Sequence, residues 1–305
     1  MNNADLNVVT GAFGYTGRYI TQKLLSAGHD VRTLTGHPER TNPFGDRVEA
    51  YPLDFGDADG LAQNLSGATT LYNTYWIRFP RGATTFETAV ENTKTLIDAA
   101  VNAGVQRIVH ISITNPSVGS PLGYFRGKAL VEEAVINSGL AYNIIRPTLI
   151  FGAEDVLINN IAWFLRKFPL FGIPGDGQYL VQPVHVEDVA AAAVSSAESS
   201  ENTIQDCVGP ETYTYSQMIR LIAGCVGANT KIANLPPGLV LFISRLAGFL
   251  VKDVVLTRAE IDGLMAGLLV SDRPPNSQTS FRQWLEHNGD TLGRRYASEM
   301  DRHYR

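Results

Sequence analysis

Tyr124 and Lys128 stand four residues apart in the run Tyr124-Phe125-Arg126-Gly127-Lys128. On a helix that spacing puts a phenol and an ammonium on one face. A phenol titrates near ~10, too high for proton transfer at neutral pH, and an adjacent cation favours the phenolate and brings the group toward working range. Upstream, Ser112 closes an apolar run, and Thr114 follows two positions later on the same face if the strand continues. Either hydroxyl could orient a substrate carbonyl. Tyr and Lys at this spacing also occur as a plain surface pair worth about a few tenths of a kcal/mol, so the pair takes its meaning from its surroundings.

Those surroundings begin with a strand, Leu6 to Thr10, running straight into Gly11-Ala12-Phe13-Gly14-Tyr15-Thr16-Gly17. Three glycines at this spacing let the backbone turn tightly, approach a pyrophosphate and pack a helix on a strand, and the helix N-terminus offers N–H groups to the anion. Gly11, Phe13, Gly14, Tyr15, Thr16 and Gly17 are therefore expected to cradle a dinucleotide. Ile20, Leu24 and Leu25 mark one face of the next helix, and Gly28 is its expected stop. Strands are expected at Asp30 to Thr35, Val48 to Leu53 and Thr70 to Asn73, then a helix over Phe86 to Ala100 and a strand at Arg107 to Ser112. A second long helix covers Tyr124 to Asn137, with a stop near Gly139, and Ala141 to Arg146 forms a further strand. Strands alternating with helices of this length predict an α/β fold, a doubly wound parallel sheet of the Rossmann kind.

Past Gly152 the pattern loosens, and Phe168 to Gly177 is turn-rich, an expected excursion over the carboxyl edge of the sheet, where substrates bind. Order returns at Pro183-Val184-His185-Val186-Glu187-Asp188, followed by an alanine-rich helix and an apolar run from Ile204 to Val208. The expected division is a dinucleotide-binding domain at 1–151 and 182–230, with a smaller, mostly helical substrate lobe at 152–181 and 231–305.

Net charge is −5 over 305 residues, with 44% hydrophobic and 18% charged residues, so the chain can build a core and offers no basic field to nucleic acid. Cys207 and Cys225 form no C-x-x-C pair, and no metal-ligand spacing occurs, so neither a metal nor a disulfide framework is expected. The first residues lack the basic and apolar regions of a leader, and a cytoplasmic protein is expected. The stretch from Leu235 to Val251 is too short and too broken to span a bilayer. A helix from Pro237 to Lys252 could rest on a membrane surface, but burial in the C-terminal lobe is the favoured reading.

Taken together, the glycine loop and the Tyr124/Lys128 pair resemble those of the atypical short-chain dehydrogenases/reductases, a branch of the NAD(P)-binding Rossmann superfamily with epimerase-like members. Nearly the whole chain takes part. Arg146-Pro147-Thr148-Leu149-Ile150-Phe151-Gly152 is similar to the family's R-P-x-x-x-x-G segment, and Val184-His185-Val186-Glu187-Asp188-Val189-Ala190 to its V-H-V-x-D-V-A. More narrowly, Leu256-Thr257-Arg258-Ala259-Glu260 and the region 281–305 resemble relatives of the NADPH-binding accessory subunit of respiratory complex I. The resemblance implies that Asp54 and Phe55 contact adenine, that Asn92 sits in the helix beneath the active site, and that Lys128 holds the nicotinamide ribose. It also places Asn73, Thr74 and Pro147 against the cofactor. Asp54 reads equally well as a strand-end turn residue, and Asn92 as a helix residue satisfying a kink. His185 and Asp188 are expected to pack and cap rather than to act as acid and base.

An NAD-preferring site carries an acid at the end of the second strand. Here the residues are Thr35-Gly36-His37-Pro38-Glu39-Arg40, so His37, Arg40 and Arg18 are left to meet a 2′-phosphate, although Gly36 stands where related NADP-binding chains often have arginine. NADP(H) is expected over NAD(H). Bulky Tyr75 and Trp76 after the fourth strand, with Phe79, Trp163 and Phe164, suggest an apolar pocket for a small molecule. Two functions compete: hydride transfer to a carbonyl or quinone-like substrate with Tyr124 as proton donor, and non-catalytic holding of NADPH by an accessory, assembly or sensor protein. Nucleotide-sugar epimerase or dehydratase chemistry ranks lower for want of a basic diphosphate cluster.

Overall fold

The computed structural model describes residues 5–303. The chain divides into two compact units, the first formed by 1–147 and 189–206 and the second by 148–188 and 207–305.

The first unit alternates strands and helices: β1 (Leu6–Thr10), α1 (Tyr15–Ser26), β2 (Asp30–Thr35), β3 (Val48–Pro52), α2 (Ala58–Leu65), β4 (Thr70–Asn73), α3 (Phe86–Asn102), β5 (Arg107–Ile111), α4 (Gly123–Ile136) and β6 (Ala141–Pro147). With β11 (Thr203–Cys207) the strands form one seven-stranded sheet in the order β11-β6-β5-β4-β1-β2-β3. The order reverses beside β1, as in a doubly wound sheet, so the ends of β1 and β4 lie at the switch point. Helices stop where a left-handed residue is cheapest: Gly28, Gly104 and Gly139 follow α1, α3 and α4 at φ +85°, +77° and +81°. Val8, Leu34, Leu71, Ile108 and Ile144, one from each of five strands, are buried against Leu61 and Leu65 of α2, Leu96 of α3 and Val131 of α4. Each such side chain contributes about 1.5–3 kcal/mol.

The second unit contains β7 (Leu149–Phe151), α5 (Val156–Lys167), β8 (Leu170–Pro174), β9 (Leu180–Val181), β10 (Pro183–His185) and the first turn of α6 (Val186–Ala197). It continues with β12 (Tyr213–Thr214), α7 (Tyr215–Cys225), β13 (Lys231–Leu235), α8 (Pro237–Val251), α9 (Arg258–Met265), α10 (Phe281–Asn288) and α11 (Glu299–His303). Three two-stranded sheets join β7 to β10, β9 to β12 and β8 to β13.

The expected boundaries shift. Residues 148–151, 182–188 and 207–230 group with the second unit, because Leu149, Phe151, Met218, Ile219 and Ile222 share its core with Ile158, Leu165, Phe281 and Leu285. The turn-rich run 168–177 is also more ordered than expected. Leu170–Pro174 pairs in parallel with Lys231–Leu235, and turning is confined to Gly175 and Gly177, at φ +66° and +68°. Proline and glycine at its ends masked the strand.

Two glycines of the second unit separate steric need from helix propensity. A Cβ on Gly209 would fall 1.6 Å from the Pro183 carbonyl oxygen, whereas one on Gly224, inside α7, meets nothing within 4 Å. Urea unfolding should therefore show Gly209→Ala destabilised by about 3 kcal/mol or more. Gly224→Ala should be stabilised by about 0.5–1 kcal/mol.

Candidate functional site

The glycine loop is built from backbone constraints. Gly11 adopts φ +67° and its N–H donates to the Leu34 carbonyl at 2.8 Å, tying the turn to β2. Gly14 N–H donates to the Gly11 carbonyl at 2.8 Å, and a Cβ on Gly17 would lie 2.3 Å from that same oxygen, so position 17 admits glycine alone without a shift. Ala12 N–H donates to the buried Thr33 hydroxyl at 3.0 Å. Helix α1 then starts with no side chain capping its amino end and no acid in its first turn. Its positive dipole end is left to an anion. Phe13, Tyr15 and Thr16 are half-buried around it.

Behind the loop, a row of buried polar groups crosses the carboxyl edge of the sheet. Thr10 Oγ1 donates to Asn73 Oδ1 at 3.2 Å, and the Asn73 amide donates to His110 Nδ1 at 3.1 Å, linking β1, β4 and β5. Thr74 N–H and Tyr75 N–H donate to Thr10 Oγ1 at 2.8 and 3.1 Å, and Thr74 Oγ1 donates to the Thr10 carbonyl. Asn73 is thus a buried strut whose amide oxygen and nitrogen both have partners within this row. Burial and the Lys128 ammonium hold His110 well below the usual imidazole range.

Lys128 is buried, and its ammonium donates to the Ile111 carbonyl at 2.7 Å while lying 4.9 Å from the centre of the Trp76 ring. Burial brings its pKa down to about 7, against the opposing pull of Glu132. Lys128 is therefore a weaker standing cation than the sequence alone suggests. Ser112 donates to Glu132 Oε1 at 2.5 Å, and Arg146 grips both oxygens of that buried carboxylate through Nε and Nη2. The strand does not continue past Ile111, so Thr114 is placed otherwise than by alternation: its N–H donates to the Pro147 carbonyl at 3.0 Å and its hydroxyl to Asp206 at 3.3 Å. Glu132 and His110 were not singled out from the sequence. Glu132 follows Lys128 by four residues and so shares its helix face, a signal that was there to be read.

Tyr124 stands edge-on to Trp76 and to Phe86, both at 5.9 Å between ring centres, and Trp76 stacks on Phe86 at 6.1 Å. Glycines make the room, since a Cβ at Gly127 would meet Trp76 at 2.7 Å and one at Gly123 would meet Phe86 at 2.7 Å. Tyr75 accepts a hydrogen bond from Asn92 at 2.9 Å and packs on Phe55 at 4.7 Å between ring centres. The structure thus gathers Tyr75, Trp76, Tyr124 and Lys128. Trp163 lies in the second unit, where Phe164, Phe168 and Tyr296 surround its ring.

At the end of β2, His37 N–H donates to Thr35 Oγ1 at 3.2 Å, its ring lies 3.6 Å from Glu39, and Arg40 N–H closes a turn on the His37 carbonyl. Gly36 is exposed, with open space where a side chain would stand. Asp54, also exposed, accepts from Gly56 N–H at 2.9 Å, the turn reading of that residue. In the second unit His185 caps α6 through Glu187 N–H at 3.3 Å and packs on Phe151, while Asp188 accepts from Thr279 N–H at 3.1 Å. Both therefore pack and cap, as expected.

Residues 11–159 match a family model described as NAD(P)H-binding. Most of the first unit, with its Rossmann-like sheet, falls inside that match. Across the chain, similarity extends to an Arabidopsis thaliana protein named NADH dehydrogenase (ubiquinone) 1 alpha subcomplex subunit 9, mitochondrial, at 28% identity over 87% of this chain and 70% of that protein. Among solved structures, a Citrobacter sp. triphenylmethane reductase complexed with NADP(H) aligns with a TM-score of 0.76 at 18% identity, covering 92% of this chain and 99% of that one. An Escherichia coli NADPH-dependent quinone oxidoreductase complexed with NADPH aligns at 0.73 and 19%, with the same coverage. At such identities these two establish the fold alone. The geometry of the first unit fits a cofactor of that kind: a tight loop in which a Cβ at Gly17 would strike the Gly11 carbonyl, a helix end with no side-chain cap, and a Trp76 Nε1 buried without a partner among the described residues.

A lysine held near 7 makes folding pH-dependent. The unfolded chain keeps its lysine protonated up to about 10, so between pH 7 and 9 it binds more protons than the native state and stability rises with pH, by up to about 1.4 kcal/mol per unit. Above that window Tyr72 and Tyr215, whose phenols burial pushes up, work in the opposite direction. Denaturant unfolding across pH 7–9 should show this rise, and Lys128→Met should flatten it.

Proposed function

We propose that this chain binds NADP(H) in preference to NAD(H) and keeps it as a retained ligand, as an accessory, assembly or sensor protein would. What carries this reading is the state of the groups that would run the chemistry. The Lys128 ammonium is taken by the Ile111 carbonyl and the Trp76 face, and the Ser112 hydroxyl by Glu132. A proton relay needs those atoms turned toward a substrate. Similarity to a protein named as a complex I subunit supports the same reading.

The residues that would hold the cofactor are the loop Gly11 to Gly17 for the pyrophosphate, Asp54 and Phe55 for adenine, His37 and Arg40 for a 2′-phosphate, and Thr74 and Pro147 nearer the nicotinamide. Bound there, NADP(H) supplies hydride chemistry. Tyr124 would hold the proton at its hydroxyl, and Tyr75 and Trp76 would exclude water and present an apolar wall to a small molecule.

Hydride transfer to a carbonyl or quinone-like substrate is the competing reading, favoured by the Tyr124/Lys128 pair meeting at Trp76. Epimerase chemistry ranks lower, for want of a basic diphosphate cluster. Neither Cys207 nor Cys225 forms a disulfide among the described residues, which suits a reducing compartment such as the cytoplasm, although the similar plant protein is named as mitochondrial.

Mass spectrometry of the nucleotide that co-purifies, followed by its oxidation against a panel of carbonyls and quinones, decides between the two functions. Retained NADPH with no acceleration over free NADPH is the expected result, unchanged in Tyr124→Phe. Turnover that falls about 100-fold or more in that variant would instead establish hydride transfer.

Titration should give a lower Kd for NADPH than for NADH, and equal or tighter NADH binding overturns the preference. Because Gly36 has open space around it, Gly36→Arg should tighten NADPH about tenfold through a charge-assisted bond while leaving NADH nearly unchanged.

A further inference from the structure

Helix α8 turns its most apolar face outward. Its sequence, Pro237-Gly-Leu-Val-Leu-Phe-Ile-Ser-Arg-Leu-Ala-Gly-Phe-Leu-Val251, repeats large apolar residues at three- and four-residue intervals, the spacing of one helix face. That pattern favours burial, and the structure overturns the expectation. Val240 and Ser244 form the side turned inward, with Val240 set over Gly172 of β8, where a Cβ would lie 3.5 Å from it. On the opposite side Phe242 is 58% exposed, Leu246 52%, Phe249 82% and Leu250 76%. Exposure is greatest at the carboxyl end, so the stripe ends in a protruding apolar tip and not in a groove.

The charges within this stretch of the chain have one sign. Arg245 and Lys252, seven residues apart, are both exposed, and no Asp or Glu occurs from 236 to 252. The first carboxylate beyond, Asp253, is buried and accepts from the Tyr296 hydroxyl at 3.1 Å and from Glu299 N–H at 2.8 Å. A second copy seated on the same face would bring these cations toward their own kind, and the stretch 236–252 carries no acid of its own. An anionic lipid surface answers them directly and receives a convex apolar tip without needing a matching cleft. Beyond a screening length of about 10 Å the overall negative charge of the chain matters little to this local attraction.

We propose that α8 is a membrane-surface element, lying on an anionic bilayer with Phe249 and Leu250 inserted among the acyl chains and Arg245 and Lys252 at the headgroups. The proposal is independent of which cofactor function holds. No described helix is long and apolar enough to cross a membrane, so the association is with one face of the bilayer.

Co-sedimentation of the full chain with phosphatidylcholine vesicles, with and without roughly 30% phosphatidylglycerol, tests it. Binding is expected to the anionic vesicles and to weaken as salt rises. Phe249→Ser/Leu250→Ser should lower it about tenfold or more, with NADPH affinity and melting temperature retained because both side chains are exposed. Arg245→Ala/Lys252→Ala should remove the preference for anionic lipid. Absence of binding to either vesicle overturns the proposal, as does binding unaffected by the serine pair. Self-association in sedimentation velocity that the serine pair abolishes, without vesicle binding, assigns the face to a second copy instead.

Discussion

Asn73 ties together the three strands on which the cofactor end of the sheet is built. Its carbonyl oxygen takes the Thr10 hydroxyl of β1, and its amide donates to His110 of β5, from a side chain with no exposure to water. A buried amide left unpaired costs about 1–3 kcal/mol, so the three strands are held at one relative height. Thr10 immediately precedes Gly11. The height at which the glycine turn leaves the sheet is thus set by hydrogen bonds inside it, and Thr74 and Tyr75 are drawn to the same hydroxyl.

From that fixed edge the row continues outward. Lys128 secures α4 to the Ile111 carbonyl, and Glu132, one turn further along, joins Ser112 after β5 to Arg146 of β6. Lysine and glutamate at i and i+4 are both directed into the sheet. Removing one partner of the Glu132–Arg146 pair would leave a charge without compensation, so these residues persist as a set or not at all. Such networks specify position more than they add stability.

The sheet was legible in the sequence because its signals are local. Periods of 2 and 3.6, with Gly28 and Gly139 as stops, located α3 and α4 to within about two residues, although the short α2 gave no such signal, and the loop at Gly11, Gly14 and Gly17 declared its steric demands through glycine itself. Less visible were features created by tertiary pairing. No local rule says that Asn73 meets His110, thirty-seven residues away, or that Leu170–Pro174, bounded by proline and glycine, finds a strand partner at Lys231–Leu235. Helix α8 failed for the converse reason. An apolar period states that a face avoids water, but not whether protein or lipid covers it.

The same distinction governs the Tyr124/Lys128 pair. A lysine at this place has a structural reason to exist, since its ammonium fastens α4 to the last carbonyl of β5 and lies under an indole that a glycine at 127 admits. Four-residue spacing follows from the helix whether or not a proton ever moves. A motif records the types and separations of side chains. Chemistry depends on where their polar atoms are directed, and here burial, the Ile111 carbonyl and the Glu132 carboxylate have already claimed the ammonium and the Ser112 hydroxyl. Conversion of this arrangement to a proton relay would require Trp76 to leave the ammonium and Ser112 to leave Glu132.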